Sequence, residues 1–195
     1  PAGRLLIISN PIYDFEGISP DTKGRKSEIE KIDDFLDGFG NLMVFIDPDT
    51  QDLPELYEFL TEWGIVFEKA ILKDPTSSLD AEHYSLVGQY AVDLSTDSET
   101  SNPDALGASL VSPITSLTTP PKTVVHYARP ITRLWDSKEG RITSTVLYTS
   151  KNAEKYVDGK MVEQGQYPLI VLSRESRYIE NTPHINLRRV FNISS

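Results

Sequence analysis

Short apolar runs set the pattern of the first third of the chain. The run from Leu42 to Ile46 is continuous rather than alternating, and it ends at Asp47-Pro48-Asp49. An unbroken run of this length is typical of a strand covered on both faces, as in the middle of a parallel sheet. A similar run, Leu5 to Ile8, stops at Ser9-Asn10-Pro11. We therefore predict two buried strands.

A helical pattern separates these two runs. Ser27 followed by Glu30 matches a capping box at a helix start. Gly38 and Gly40 are placed to end that helix. The apolar residues between them recur at helical spacing and form one face, which consists of Ile29, Ile32, Phe35, Leu36 and Phe39.

A second helix and a third strand follow. Asp52 is predicted to cap the helix, Pro54 lies in its first turn, and Gly64 is predicted to end it. Ile65-Val66-Phe67 then predicts a further strand. Strand, helix, strand, helix and strand with short connections is the pattern of a doubly wound fold. We expect a single α/β domain over residues 1–195, with a mostly parallel central sheet.

The second half of the chain gives weaker signals. Ser95 to Ser109 is rich in serine, threonine, aspartate and asparagine, which predicts an exposed, mobile loop. Pro113 and the pair Pro120-Pro121 favour extended segments over helices, and Thr149-Ser150 is placed to cap a helical turn over Lys151 to Tyr156. Strands are predicted at Thr123–His126, Ile131–Trp135, Ile142–Tyr148, Tyr167–Leu172 and Asn186–Ile193.

Composition narrows the classes of partner. The 195 residues have a formal net charge of −10, which argues against binding nucleic acid or anionic lipid head groups. The chain has no cysteine, so thiol nucleophiles and disulfides are excluded. No apolar run is long enough to span a membrane. Because the sequence opens on Pro1-Ala2-Gly3 without an initiator methionine, we expect a fragment of a longer, membrane-anchored protein.

The predicted strand ends supply the candidate binding residues. In an open α/β sheet, ligands usually lie at the carboxyl ends of the strands. This rule points to Asn10, Asp47, Asp49 and Thr149 as residues that line a ligand site. Asp47 and Asp49 could bind a hard cation, but a turn at the strand end is the interpretation that we favour.

Catalytic patterns are weak. No Gly-x-Ser-x-Gly elbow is present, and His83, His126 and His184 have no metal-ligand spacing. The loop after the first strand also lacks the residues of a phosphate-binding loop. We therefore predict no catalytic residue, metal or cofactor. A carbohydrate-binding domain remains a further option, which requires two or more exposed aromatic residues in one groove.

Several of these stretches together resemble a known family. Ile29 to Asp47, with its helix, glycine pair, apolar strand and aspartate, is similar to a unit of the auxiliary domain in uncharacterised ABC-type transport systems, a group that includes the gliding-motility ABC-transporter auxiliary component. Later stretches that fit this family are Leu53–Gly64 with Ile65, Ser112–Thr115, Ala128–Ile131, Leu147–Ser150 and Tyr167–Leu172. The resemblance extends from Leu5 to Ile193, although the polar segment Ser95 to Ser109 departs from it.

The resemblance implies a flavodoxin-like α/β domain, a three-layer sandwich similar to class I glutamine amidotransferases. It also implies a position on the extracytoplasmic face of the cell membrane, with anchors outside this fragment. The family supplies no established catalytic residues. We therefore expect a non-enzymatic accessory domain of an ABC-type transport system that binds a permease, another envelope protein or a ligand. The alternative is an envelope hydrolase that uses serine or a metal in place of cysteine.

Overall fold

The computed structural model describes residues 4–18, 24–92, 102–177 and 186–194. These residues form three short helices and fourteen strands. The helices are α1 (Glu28–Asp37), α2 (Pro54–Glu62) and α3 (Ala105–Thr115). The strands of the first half are β1 (Leu5–Ser9), β2 (Asn41–Ile46), β3 (Ile65–Phe67), β4 (Ile71–Lys73), β5 (Ser85–Val87) and β6 (Gln89–Tyr90). Those of the second half are β7 (Val124–His126), β8 (Ile131–Arg133), β9 (Ser137–Lys138), β10 (Arg141–Tyr148), β11 (Ala153–Val157), β12 (Lys160–Gly165), β13 (Pro168–Arg177) and β14 (Asn186–Ser194).

The largest sheet is mixed, with strand order β1-β2-β14-β13-β10-β6 and with β9 paired to β10. Only β1, β2 and β14 run parallel to one another. The remaining pairs are antiparallel. The predicted flavodoxin-like, amidotransferase-like sandwich with a mostly parallel sheet is therefore wrong. The second half of the chain folds back on itself as antiparallel strands instead of crossing over through helices.

The third predicted strand forms at the predicted residues but joins a different sheet. β3 pairs antiparallel with β8, as a separate two-stranded sheet. Ile65 and Phe67 nevertheless pack into the same core as α1 and α2. The apolar pattern thus indicates that the strand is buried. An antiparallel partner strand buries these side chains as well as a parallel one does.

The main core lies between the large sheet and the helices α1 and α2. The buried side chains of β2 alternate, and they are Leu42, Val44 and Ile46. Met43 and Phe45 on the other face are only half-buried. The prediction that both faces of the strand are covered is therefore wrong for this face. α1 contributes Ile29, Ile32 and Leu36 to this core, and α2 contributes Leu56, Phe59 and Leu60.

The two helix starts differ in how they are capped. The predicted capping box of α1 is confirmed, since the Glu30 amide donates to the Ser27 hydroxyl at 3.1 Å and the Ser27 amide donates to the Glu30 carboxylate at 2.7 Å. Asp52 is predicted to cap α2, but it pairs with Lys69 instead. Asp14, about forty residues earlier, accepts from the amide of Glu55 at 2.9 Å. Because the capping residue of α2 lies in a distant loop, the sequence next to the helix does not predict it.

Helix α3 contradicts two sequence predictions. It includes Ala105 to Ser109, where the sequence predicts an exposed loop, and it contains Pro113, where the sequence favours an extended segment. Residues 93–101 of that predicted loop lie outside the described residues. Gly107 lets the helix approach β10 so closely that its amide donates to the Ser144 hydroxyl at 2.8 Å. A β-carbon at this position would lie only 1.9 Å from the carbonyl oxygen of Thr145.

A carboxylate holds the start of α3 against the sheet. Asp104 accepts from Arg133 at 2.7 Å and from the backbone amide of Thr145 at 3.0 Å. It also accepts from the phenol of Tyr148. Burial is the main cause that raises the pKa of Tyr148 to about 12, and the bond to Asp104 adds to it.

The second unpredicted element is a small antiparallel sheet of order β12-β11-β4. β11 includes most of the segment Lys151 to Tyr156, for which we had predicted a helical turn. Asp158 and Gly159 both have positive φ, at 49° and 72°, as in the tight hairpin turn that joins β11 to β12. Within the described residues, no helix is long and apolar enough to cross a membrane.

Substitution of Gly107 by alanine is expected to destabilise the domain by about 2 kcal/mol or more, because overpacking against a backbone carbonyl forces α3 away from β10. Urea unfolding measures the change. Gly38→Ala is the matched control, since its nearest neighbours would lie at 3.5 Å and its φ is −76°. Equal stability of the two variants would contradict the close approach.

Substitution of Tyr148 by phenylalanine should cost about 1–2 kcal/mol at pH 7, since the bond to the Asp104 carboxylate is lost. The pKa of Tyr148 in the folded protein is raised from its ordinary value of 10.0 to about 12. The stabilising contribution is therefore complete below about pH 10 and disappears as the pH rises through about 12. Urea unfolding of both proteins between pH 7 and 12 tests this sign. A difference that stays constant to the highest pH would contradict it, and Tyr13→Phe, at an exposed position, serves as the control.

Candidate functional site

Three of the predicted binding residues meet where β1 and β2 end. Asn10 has a positive φ of 40°, and its side-chain oxygen accepts from the amide of Asp47 at 2.9 Å. Asp47 in turn accepts from the amide of Asp49 at 3.0 Å and from the hydroxyl of Thr50 at 3.1 Å. These bonds form a turn that links the two strand ends.

Residues of this turn line a concavity, which we call the strand-end hollow. It has a volume of about 330 Å³ and is lined by Asn10, Pro11, Ile12, Asp47, Asp49, Thr50 and Gln51. The Asp47 carboxylate accepts hydrogen bonds from the turn, and the Asp49 carboxylate accepts from the phenol of Tyr127 at 3.1 Å. Across the described part of the chain, no group of three or more acidic or histidine side chains is placed to hold a metal ion.

The fourth predicted residue, Thr149, lies elsewhere. It is fully buried at the end of β10 and does not line the strand-end hollow. Its hydroxyl accepts from the amide of Tyr167 at 2.9 Å and donates to the carbonyl of Ser150 at 3.0 Å. The arrangement fixes the link between β10 and β11.

A serine and a carboxylate do come together beside Thr149. Asp74 is fully buried and accepts from the Ser150 hydroxyl and the Ser150 amide, each at 3.0 Å. It also accepts from Ser77 and from both the amide and the hydroxyl of Thr76. A nucleophilic serine requires a neighbouring general base, most often an imidazole, to take its proton. The ring of His83, however, bonds to Ser78 at 2.9 Å. This geometry suits a structural junction.

A second concavity adjoins the strand-end hollow, and we call it the tyrosine groove. Its volume is about 320 Å³, and its lining residues are Pro48, Lys69, Ala70, Ile71, Lys73, Tyr84, Tyr156, Asp158 and Gly159. The ammonium of Lys73 lies 4.5 Å from the ring centroid of Tyr84 and 5.1 Å from that of Tyr156. Both are cation–π contacts, which immobilise the lysine between two rings.

Tyr127 connects the two concavities. Its ring packs edge-on against Tyr84 with centroids 5.5 Å apart, while its hydroxyl donates to Asp49. Burial raises the pKa of Tyr127, and the bond to Asp49 acts in the same direction. The aromatic contacts therefore form a continuous path from the groove to the strand-end turn.

Tyr84 is held in place by an acidic side chain of its own loop. Asp80 accepts from the amide of Tyr84 at 3.0 Å and from the amide of Ser85. The hydrogen bond from the Ser85 side chain is the largest cause that lowers the pKa of Asp80 to about 2, and the amides of Tyr84 and Ser85 add to it. Since the loop amides bond to the ionised carboxylate, the position of Tyr84 depends on the charge of Asp80.

Sequence reasoning missed Lys73, Tyr84 and Tyr156. Tyr127 lies at the junction of the two concavities. One local signal was present for Tyr156, because Asp158-Gly159 is a preferred hairpin turn and places this tyrosine on a strand. No local signal connects Lys73 with Tyr84 or Tyr156, since long-range pairing brings these segments together.

Comparison with known proteins gives a likeness of fold. No protein-family model matches the chain, and no curated protein sequence matches it. The structure is similar to a solved mmIFT52 N-terminal domain, with a TM-score of 0.56 and 14% sequence identity. The alignment covers 98% of this chain, and the chain spans 65% of the length of that one. At this identity the likeness concerns the fold alone.

The Asp80 carboxylate is expected to titrate with a midpoint near pH 2, which NMR signals of the Tyr84 and Ser85 amides can follow. Because the folded pKa is lowered, the order that Asp80 gives to the loop is complete above about pH 4 and is lost as the pH falls through about 2.

The same bonds can be tested at neutral pH. Asp80→Asn should accelerate hydrogen exchange of the Tyr84 and Ser85 amides by about tenfold or more, because local opening becomes easier. Glu82→Gln, an exposed change in the same loop, should leave exchange unaltered. Equal exchange in both variants would show that Asp80 does not hold the loop.

Proposed function

We propose that this domain is a non-catalytic binding domain, an accessory part of an ABC-type transport system on the extracytoplasmic face of the membrane. It holds a permease or another envelope protein, and the tyrosine groove is the contact site. The observation that carries the proposal is the placement of Lys73 between Tyr84 and Tyr156 in an open concavity. The assignment to a transport system rests on the sequence stretches that resemble that family.

The hydrogen bonds and burial of the other polar groups favour a binding function over a catalytic one. Asp47 and Asp74 both accept hydrogen bonds from neighbouring backbone amides and hydroxyls, so their carboxylates serve the local structure. Ser150 is buried and donates to Asp74, whereas a serine hydrolase needs a hydroxyl that the substrate can reach beside a general base. The tyrosine groove, by contrast, presents side chains to solvent.

The composition of the groove suits a protein partner. Tyrosine side chains offer a large, rigid contact area with one polar end, and they are enriched at protein interfaces. Pro48, Ala70 and Ile71 add apolar surface to the same groove. Partly apolar walls with a few fixed polar groups are common in recognition sites.

Carbohydrate binding is the second candidate, because Tyr84 and Tyr156 do line one groove. A sugar would need to stack on the face of an aromatic ring. The ammonium of Lys73 lies against both rings, so a neutral sugar would have to displace a cation–π contact. We therefore favour a protein partner.

Site-specific photo-crosslinking tests the proposal. A benzophenone side chain is placed at Tyr84 or Tyr156 in the full-length chain in its own cells, with Val162 and Leu110 as exposed control positions outside the groove. The expected product is a cross-link to an ABC permease subunit or another envelope protein, formed from the groove positions only. Cross-links to cytoplasmic proteins, or equal products from the control positions, would contradict the proposal.

A hydrolase assay tests the competing class. The domain is incubated with p-nitrophenyl acetate and p-nitrophenyl phosphate, and Ser150→Ala is the comparison variant. Rates equal to the uncatalysed reaction are expected for both proteins. Saturable turnover that Ser150→Ala abolishes would overturn the non-catalytic assignment.

A further inference from the structure

The charge environment of Lys73 differs from that of Lys69 and Lys155. Lys69 pairs with Asp52 at 3.1 Å, and Lys155 pairs with Glu68 at 3.1 Å. Lys73 forms no ion pair with any carboxylate in the described parts of the chain, and its ammonium contacts two tyrosine rings. A half-buried ammonium without a counter-ion is unusual in a chain whose net charge is −10.

One carboxylate lies across the strand pair from Lys73. Glu154 is its register partner between β4 and β11, so their side chains share one face of the small sheet. Glu154 nevertheless accepts from the phenol of Tyr156 at 2.8 Å. That bond raises the pKa of Tyr156 and keeps the carboxylate directed at the phenol. Lys73 therefore remains available to another anion.

The groove provides further contacts around the ammonium. Lys69, which pairs with Asp52, and the acidic Asp158 also line the groove, and Pro48, Ala70 and Ile71 supply its apolar wall. A volume of about 320 Å³ accommodates one side chain together with its flanking backbone, and not a large cofactor. Charge-assisted hydrogen bonds to an ammonium are stronger than those between neutral groups. The groove thus suits a carboxylate with apolar neighbours.

We infer that the tyrosine groove is a carboxylate-binding site in which the Lys73 ammonium, fixed by Tyr84 and Tyr156, receives a glutamate or aspartate side chain from the partner protein. This inference rests on the proposed function, since it names the chemistry of the same contact. Glu154 competes with the incoming carboxylate through its negative charge and through its proximity to Lys73.

NMR titration of the isotope-labelled domain tests the inference with defined probes. Acetyl-Ala-Glu-Ala-amide is compared with acetyl-Ala-Gln-Ala-amide, and glucuronate is compared with methyl glucoside. The expected result is a saturable shift of the Lys73, Tyr84 and Tyr156 signals by the glutamate peptide, with about tenfold weaker binding of the glutamine peptide, because a hydrogen bond to a charged group is lost.

Three variants test whether Lys73 and Glu154 determine the affinity for the glutamate peptide. Lys73→Met keeps the apolar stem and should weaken binding of the glutamate peptide by about tenfold or more. Glu154→Gln should tighten binding by about twofold to fivefold, since a like charge is removed. Lys151→Met, at an exposed lysine outside the groove, should leave the affinity unchanged. An increase in affinity in Glu154→Gln cannot result from misfolding.

Each alternative outcome overturns a stated part of the inference. Equal binding of the two peptides, or of glucuronate and methyl glucoside, would show that the groove does not select carboxylates. Saturable binding of glucuronate without the glutamate peptide would show a small-acid site instead of a partner contact. If groove cross-links form unchanged in Lys73→Met, the carboxylate inference fails while the proposed function stands. If the peptide binds but no groove cross-link forms, the proposed function fails while the carboxylate site stands.

Discussion

The buried carboxylate of Asp74 is the constraint on which the candidate site depends. It lies directly after Lys73 at the end of β4, and it accepts five hydrogen bonds from Thr76, Ser77 and Ser150. Burial of an unpartnered charge would cost several kcal/mol, so these bonds must form together. Because Ser150 begins the link into β11, the same carboxylate sets where β11 starts relative to β4. The amide of Asp74 also donates to the carbonyl of His83, the residue before Tyr84. Lys73, Tyr84 and Tyr156 thus meet because one buried residue, through its carboxylate and its backbone amide, links all three segments.

The elements of the first third could be predicted because their signals are local. The capping box at Ser27 and the buried face of α1 lie within ten residues of each other. The parallel pair β1 and β2 followed from the helix between two apolar runs, and it brought Asn10 close to Asp47 as the strand-end rule requires. The two strand ends meet in this mixed sheet because their juxtaposition needs only one parallel unit. The direction of the remaining strands could not be predicted, since an apolar run specifies burial and leaves the partner open.

The second half shows where local signals compete. Thr149-Ser150 resembles a helix cap, and the Ser150 hydroxyl does accept from the amide of Asn152 at 3.1 Å while it donates to Asp74. The chain nevertheless continues as a strand, because the turn preference of Asp158-Gly159 prevails and the segment forms a hairpin. Helix α3 forms despite Pro113 because tertiary contacts at Gly107 and Asp104 outweigh propensity. The tyrosine groove depends on both β4 and the hairpin, and therefore it could not be predicted from the chain alone.

Charge determines how a partner would approach this groove. With a net charge of −10, the domain repels an acidic partner at long range, and the hollow between α1 and α2 is lined by five carboxylate residues: Glu30, Asp33, Glu55, Glu58 and Glu62. Attraction at Lys73 acts only at short range, within about 8–10 Å at physiological salt. Association would therefore be unassisted by electrostatic steering, and the bound state would depend on the apolar and aromatic walls that keep water from the ion pair. A partner that carried acidic groups without apolar neighbours would gain little at Lys73, because a solvated ion pair contributes less than about 1 kcal/mol. Selectivity in this groove thus arises from the tyrosines as much as from the lysine they hold.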